Sequence, residues 1–257
     1  SGTDMKYKIE TANQSYTAGT AALDDASSGA HVGTAIADAT SSTTQKKFGT
    51  ASLYFDGTGD YITYPAHADF NSIGTGDYTI ESWVYPTNTT GNQNHDYIMG
   101  TNSWDGSNNY SWFLGMSGDG SSGTSRKFQF PLYNGGSNPG LLSPLTYAPN
   151  VWYHIAVVRS GSTTTMYVNG TAVQTLAGNH HLGGTGVLQV GNGHGTSPWE
   201  GYIDELRISN TARYTGAFTP STTAFTSDAD TKLLLHGEEG AGTGKETRIH
   251  ATSLAWA

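Results

Sequence analysis

Apolar residues along this chain come in short runs that end at turn residues. Leu53-Tyr-Phe55 is followed by Asp56-Gly-Thr-Gly59 and then by Tyr61-Ile-Thr-Tyr64, stopped by Pro65, a pattern that predicts two strands joined as a hairpin. Thr79 to Tyr85 alternates in period two, with Ile80, Ser82 and Val84 facing one way and Thr79, Glu81, Trp83 and Tyr85 the other, and Pro86 as the stop. Residues 87 to 109 are loop-rich around a short strand at Tyr97-Ile-Met99, and strands are predicted over Tyr110 to Met116 and Lys127 to Leu132. Trp152 to Arg159, Thr164 to Val168 and Thr171 to Leu176 follow, the last two joined at Asn169-Gly170, a dipeptide suited to the positive φ of a tight hairpin. Val187 to Val190 leads through a glycine-rich loop into a closing strand that includes Tyr202 to Ile208. Regular strand spacing with turns between, and no long helical period, predicts an all-β, antiparallel, two-sheet sandwich.

The closing strand carries one awkward carboxylate. By strict alternation Tyr202, Asp204, Leu206 and Ile208 share a face, opposite Ile203, Glu205 and Arg207. An ionised Asp204 among apolar neighbours then has to be paired, hydrogen-bonded or bound to a cation.

Composition narrows the function classes. At 257 residues with 34 glycines and 13% charged residues, the chain suits one sandwich of many short strands plus a tail. A net charge of −9 with only 12 Lys plus Arg leaves no basic stripe, so nucleic acid is not an expected partner. The longest pure aliphatic cluster is Leu233 to Leu235, far short of a bilayer span, so no membrane insertion is expected. With no cysteine there is no disulfide to fix the compartment.

Gly201-Tyr-Ile-Asp-Glu-Leu-Arg-Ile208 with Asn210-Thr-Ala-Arg-Tyr214 resembles the closing strand of laminin-G-like jelly-roll domains of the concanavalin A-like lectin and glucanase superfamily. Lys47 to Ile62, Gly76 to Pro86, Trp152 to Arg159 and Met166 to Gly170 match the same family in the same order. The resemblance implies a concanavalin A-like jelly roll over residues 5–222, with 223–257 as a tail strand or the start of a further module. The tail is expected to be separable from the sandwich or to make an intermolecular contact, because its apolar Leu233 to Leu235 has no hairpin partner nearby. The family also implies calcium: the aspartate matching Asp204 binds it in related glucanases, which points to Asp204 with the Asp56-Gly57 turn.

Catalytic signatures are missing. Glucanases on this fold carry Glu-x-Asp-x-Glu or a close variant, and Glu200, Asp204 and Glu205 do not reproduce that spacing. Glu81 and Glu205 are the remaining pair that strand alternation allows to meet. His154 reads as a structural, hydrogen-bonded histidine. Aromatic residues in loops rich in Asn, Asp and Gly instead suit sugar stacking. A shallow glycan site is expected where Trp104, Asp105, Asn108 and Asn109 of one loop meet Asn192, His194 and Trp199 of another, unless these tryptophans simply plug the core. The overall expectation is a non-catalytic carbohydrate- or receptor-binding adhesion module of a larger extracellular, cell-surface or virion protein, beside neighbouring modules and with homo-oligomerisation open. A structural assembly domain is the alternative, and a glycoside hydrolase stands third.

Overall fold

The computed structural model describes residues 23–88, 95–102, 111–117, 126–133, 139–193 and 198–238. One sheet runs in the order β1 (Thr34–Ile36), β4 (Tyr61–Tyr64), β13 (Val187–Val190), β6 (Asp96–Asn102), β7 (Ser111–Ser117), β8 (Lys127–Tyr133) and β9 (Gly140–Leu142). The other runs β12 (Thr171–Ala177), β11 (Thr163–Val168), β10 (Tyr153–Ser160), β5 (Tyr78–Pro86), β14 (Glu200–Ser209), β3 (Ser52–Asp56) and β2 (Thr40–Ser42), with β15 (Thr231–Leu235) also paired to β14. Inward residues of the two antiparallel sheets meet in one core: Leu53, Phe55, Ile80, Val84, Ile155 and Ile203 against Ile62, Tyr64, Trp112, Leu114, Phe130 and Leu188. Burying each such side chain stabilises the fold by about 1.5–3 kcal/mol. The two-sheet jelly roll is therefore the one that the alternation predicts. No helix among the described residues is long and apolar enough to cross a membrane.

Two local expectations change. Strands β3 and β4 do not form a hairpin, because they lie in different sheets. The chain crosses between the sheets at Gly57 (φ +82°) and Gly59 (φ +87°), and the buried Asp60 carboxylate accepts from the backbone N–H groups of Asp38 and Asp56 at 3.2 and 3.0 Å. Asn169 and Gly170 do adopt positive φ, +49° and +78°, joining β11 to β12. Gly170 answers a second demand, since a Cβ there would collide with the Phe218 carbonyl of a segment crossing the sheet.

The larger change is in β14. Glu205 takes φ +50° and the register against β5 slips between Asp204 and Arg207. A bulge of one residue reverses the facing of everything beyond it. Ile203, Leu206 and Ile208 all enter the core, while Asp204, opposite Trp83, and Arg207, opposite Glu81, lie on the outer face. Asp204 is thus not a neighbour of Leu206 and Ile208 on one face, as strict alternation requires.

Beside the first half of β14 sits β3, pairing with Glu200 to Ile203; beside the second half sits β15, pairing with Leu206 to Ser209. Leu233, Leu234 and Leu235 are each 0% exposed, the first and last in the core and Leu234 on the outside with Trp83 and Phe225. Far from being separable, this tail strand is part of the sheet, and the segment leading to it covers part of the sheet's outer face. Truncating Leu234 to Ala should cost about 2–5 kcal/mol and lower the Tm by on the order of 10 °C in a thermal melt. An unchanged Tm would show that the strand is not docked in solution.

Candidate functional site on the outer face

Register arranges the outer face of the larger sheet in rows. Tyr54 of β3, Tyr202 of β14 and Tyr85 of β5 are directly opposed, and Trp152, one residue before β10, continues the row because Tyr153 faces Val84. Neighbouring ring centroids along it are 4.9, 5.9 and 5.4 Å apart. The next row holds Asp204, Trp83 and His154, and the one after it Arg207, Glu81 and Ala156.

The segment after β14 closes over the charged rows. Tyr214 and Phe218 pack on Ala156, Val158 and Tyr167, and Phe225 packs on Trp83. Beneath them Glu81 is fully buried and saturated: one carboxylate oxygen accepts from Arg207 Nε and Nη2 at 2.8 and 2.6 Å, the other from the Tyr214 hydroxyl at 2.8 Å, and His154 Nε2 lies 3.2 Å away. Burial alone would raise the Glu81 pKa, but His154 and Arg207 outweigh it and hold the carboxyl below its ordinary value. Glu205 accepts from the Phe225 N–H at 2.5 Å and faces His236 Nδ1 at 2.7 Å. Glu81 and Glu205 are therefore fastened into separate ties and do not form a carboxylate pair.

Among the described residues, three rings of the aromatic row are partly open to solvent. Tyr54, Tyr85 and Trp152 are half-buried, and Tyr202 is 8% exposed. Asp56 and Glu200, opposed in register, continue the same face beyond Tyr54 and Tyr202. Burial, followed by the nearby Tyr202, Asp56 and Glu200, pushes the Tyr54 hydroxyl pKa up. The result is a strip of rings ending at two carboxylates, a surface that offers stacking and hydrogen-bond acceptance side by side.

Of the residues singled out from the sequence, Trp104, Asp105, Asn108, Asn109 and His194 lie outside the described residues. Trp199 is 0% exposed within the core and Asn192 is 2% exposed, so Trp199 fills the sandwich and is not free to stack on a sugar. The two proposed loops also start apart: β13 is antiparallel to β6, so the loop after Asn102 begins beside Val187 whereas Gly191 bonds to Ile98. Asp204 and the Asp56-Gly57 turn are not brought together either. Asp56 faces Glu200, four positions along β14 from Asp204 and roughly 13 Å away at ordinary strand rise. Asp56 lies instead with Asp38 and Asp60, their carboxylate oxygens within 4.8 Å of one another.

Asp204 itself remains an unusual group. Its Oδ2 accepts from the N–H groups of Lys47 and Phe48 at 2.7 and 3.1 Å. Its Oδ1 is buried without a hydrogen-bonded partner among the described residues, though the Glu205 N–H is close enough to favour the charged form. Burial pushes the pKa up to about 7 against the pull of those N–H groups.

A family model of the laminin-G type, described as concanavalin A-like lectin/glucanases superfamily, matches residues 56–215, well over half of the chain. The chain belongs to that superfamily. No curated protein matches its sequence. Among solved structures, this member of the superfamily is similar to the binding domain of paraclostridial mosquitocidal protein 1, at 13% identity and TM-score 0.56, over 72% of this chain and 45% of that one. It is also similar to the enzymatically active domain of tailspike protein 2 of bacteriophage CBA120, at 17% identity and TM-score 0.55, over 79% of this chain and 32% of that one. Botulinum neurotoxin type C matches at 12% identity and TM-score 0.52, over 73% of this chain and 44% of the toxin chain. The chain thus spans less than half of each of these three structures, and the likeness establishes the shared fold.

A pH prediction follows from Asp204. With a folded pKa of about 7 against about 3.9 when unfolded, the native state keeps a proton that the unfolded chain has lost, so stability falls as pH rises through that window. In the presence of EDTA, the Tm is expected to drop between pH 5 and pH 8 in the native chain and to drop less in Asp204→Asn. Equal drops in both would show that Asp204 does not titrate in this range.

Proposed function

We propose that this domain is a non-catalytic module that binds carbohydrate on the row Trp152, Tyr85, Tyr202 and Tyr54, as part of a larger extracellular or virion protein. The observation that carries the proposal is this partly open row among the described residues, on a face whose charged rows are roofed by the chain's own segment. Sugars present apolar C–H faces that pack on rings and hydroxyls that donate to carboxylates, and the row supplies both with Asp56 and Glu200 at its end. The consumption of Glu81 and Glu205 in buried ties supports a binding rather than a hydrolytic role. The binding domain of the mosquitocidal protein, and the interaction of botulinum neurotoxin type C with two ganglioside molecules, are in keeping with such a role on this fold. Hydroxyl contacts replace water contacts, so affinity per site is expected to be weak and adhesion to depend on several copies.

The test is a glycan array probed with multivalently displayed protein, repeated with Trp152→Ala and Tyr85→Ala. Binding to a defined glycan set, weakened about tenfold or more by each substitution (1.4 kcal/mol per decade), is the expected result. No glycan bound, or binding untouched in variants that stay folded, would favour an assembly role instead.

A structural calcium ion at Asp204 is a companion proposal. The unpartnered Oδ1 fits a hard cation, whereas Asp56 and Gly57 lie too far along the sheet to share it. Millimolar CaCl2 added to metal-free protein should then raise the Tm of the native chain and not of Asp204→Asn. No rise in the native chain would remove the ion.

A further inference from the structure

Just before β1 and just after its partner β4, two histidines converge on one carboxylate. His31 Nε2 lies 2.9 Å from Asp69 Oδ2, and His67 Nδ1 lies 3.2 Å from the same oxygen. His67 caps α1 (Ala68–Asn71), and its Nδ1 accepts the Asp69 backbone N–H at 3.2 Å. That bond uses the one lone pair of an unprotonated Nδ1, the same lone pair that would bind an ion. The Asp69 carboxylate oxygen 3.2 Å from Nδ1 is suited to positive charge between the two atoms, carried by a proton on the ring or by a bound cation.

Several features hold the arrangement in place. The His31 N–H donates to Asp25 Oδ2 at 3.0 Å, and the fully buried Phe70 ring packs edge-on against His31 at 4.8 Å. Gly29 leaves room for the His31 ring, since a Cβ there would stand 2.6 Å from Nε2. His31 is the anchored member, its side chain 10% exposed, while Asp69 at 26% and His67 at 52% open the group to solvent.

We propose that His31, His67 and Asp69 form a binding site for a divalent transition-metal ion of the zinc class. One ligand atom from each residue lies within 4.8 Å of the others, close enough for a single ion to meet all three. Two imidazole nitrogens and one carboxylate suit zinc, cobalt, nickel or copper, whereas calcium prefers an all-oxygen shell. Water completes the coordination on the exposed His67 side. Binding replaces the Asp69 N–H as the partner of His67 Nδ1 and ties the 25–32 loop to the chain after β4.

The experiment uses tag-free, full-length chain stripped with EDTA and then dialysed free of it, titrated with CoCl2 and with ZnCl2. One equivalent of Co2+ is expected to bind saturably with a visible d–d absorption, to be displaced by Zn2+, and to resist displacement by millimolar Ca2+. Zn2+ should also raise the Tm. His67→Ala, at a half-exposed position whose loss leaves the core intact, and Asp69→Asn should each weaken Co2+ binding by about tenfold or more while circular dichroism stays native. Absence of saturable one-to-one binding, displacement by Ca2+, or binding unchanged in both variants would overturn the site.

Discussion

One extra residue at Glu205 sets the chemistry of both faces of the larger sheet. Without the bulge, strand alternation would place Asp204 among Leu206 and Ile208 and turn Arg207 to the face of Ile203. With it, Ile203, Leu206 and Ile208 all reach the core while Tyr202, Asp204 and Arg207 line the outside. The positive φ at Glu205 is a local strain that a non-glycine residue tolerates only when its surroundings hold it. Here they do so through the Phe225 N–H and His236, which grip the Glu205 carboxylate from the covering segment and the end of β15.

The bulge also explains why the outer face needs a roof. Glu81 and Arg207 on a sheet face are common in water, but the row of His154 and Trp83 beside them makes that patch more apolar, and the covering segment buries both rows. Tyr214, Phe218 and Phe225 cover it, and Tyr214 closes the last acceptor position of Glu81 with its hydroxyl. Breaking such a buried tie by removing one partner is far more costly than forming it is favourable, so the network fixes where the segment lies more than it adds stability. Among the described residues the roof stops short of the aromatic row, so cover differs along a single face of the sheet.

Much of the fold was legible in the residues. Alternation at Thr79 to Tyr85, the Asn169-Gly170 turn and the regular spacing of turn residues are local properties, and a strand with one apolar face can be satisfied only by packing that face against another layer. The ordered family motifs reached the same answer. Of the aromatic row only Tyr85 was placed from the sequence on the face of Glu81 and Trp83, and no local pattern states which strands are neighbours.

By itself, then, the sequence determined most of the strands, the two-layer architecture and the polarity of the unbulged strand faces, because these depend on spacing within a few residues; the bulge at Glu205 put the second half of β14 beyond that reach. Tertiary structure decided what depends on register and on distant chain. It sent β3 and β4 to different sheets, buried Trp199, parted Asp204 from Asp56, and brought Leu233 to Leu235 back to β14 from beyond a long polar stretch. It also aligned Trp152, Tyr85, Tyr202 and Tyr54 into one row and set His31 beside His67 and Asp69. The physical reason is common to all of these: a contact between residues far apart in the chain is fixed by hydrogen-bond register and by competition for buried space, and neither quantity is written in any single segment.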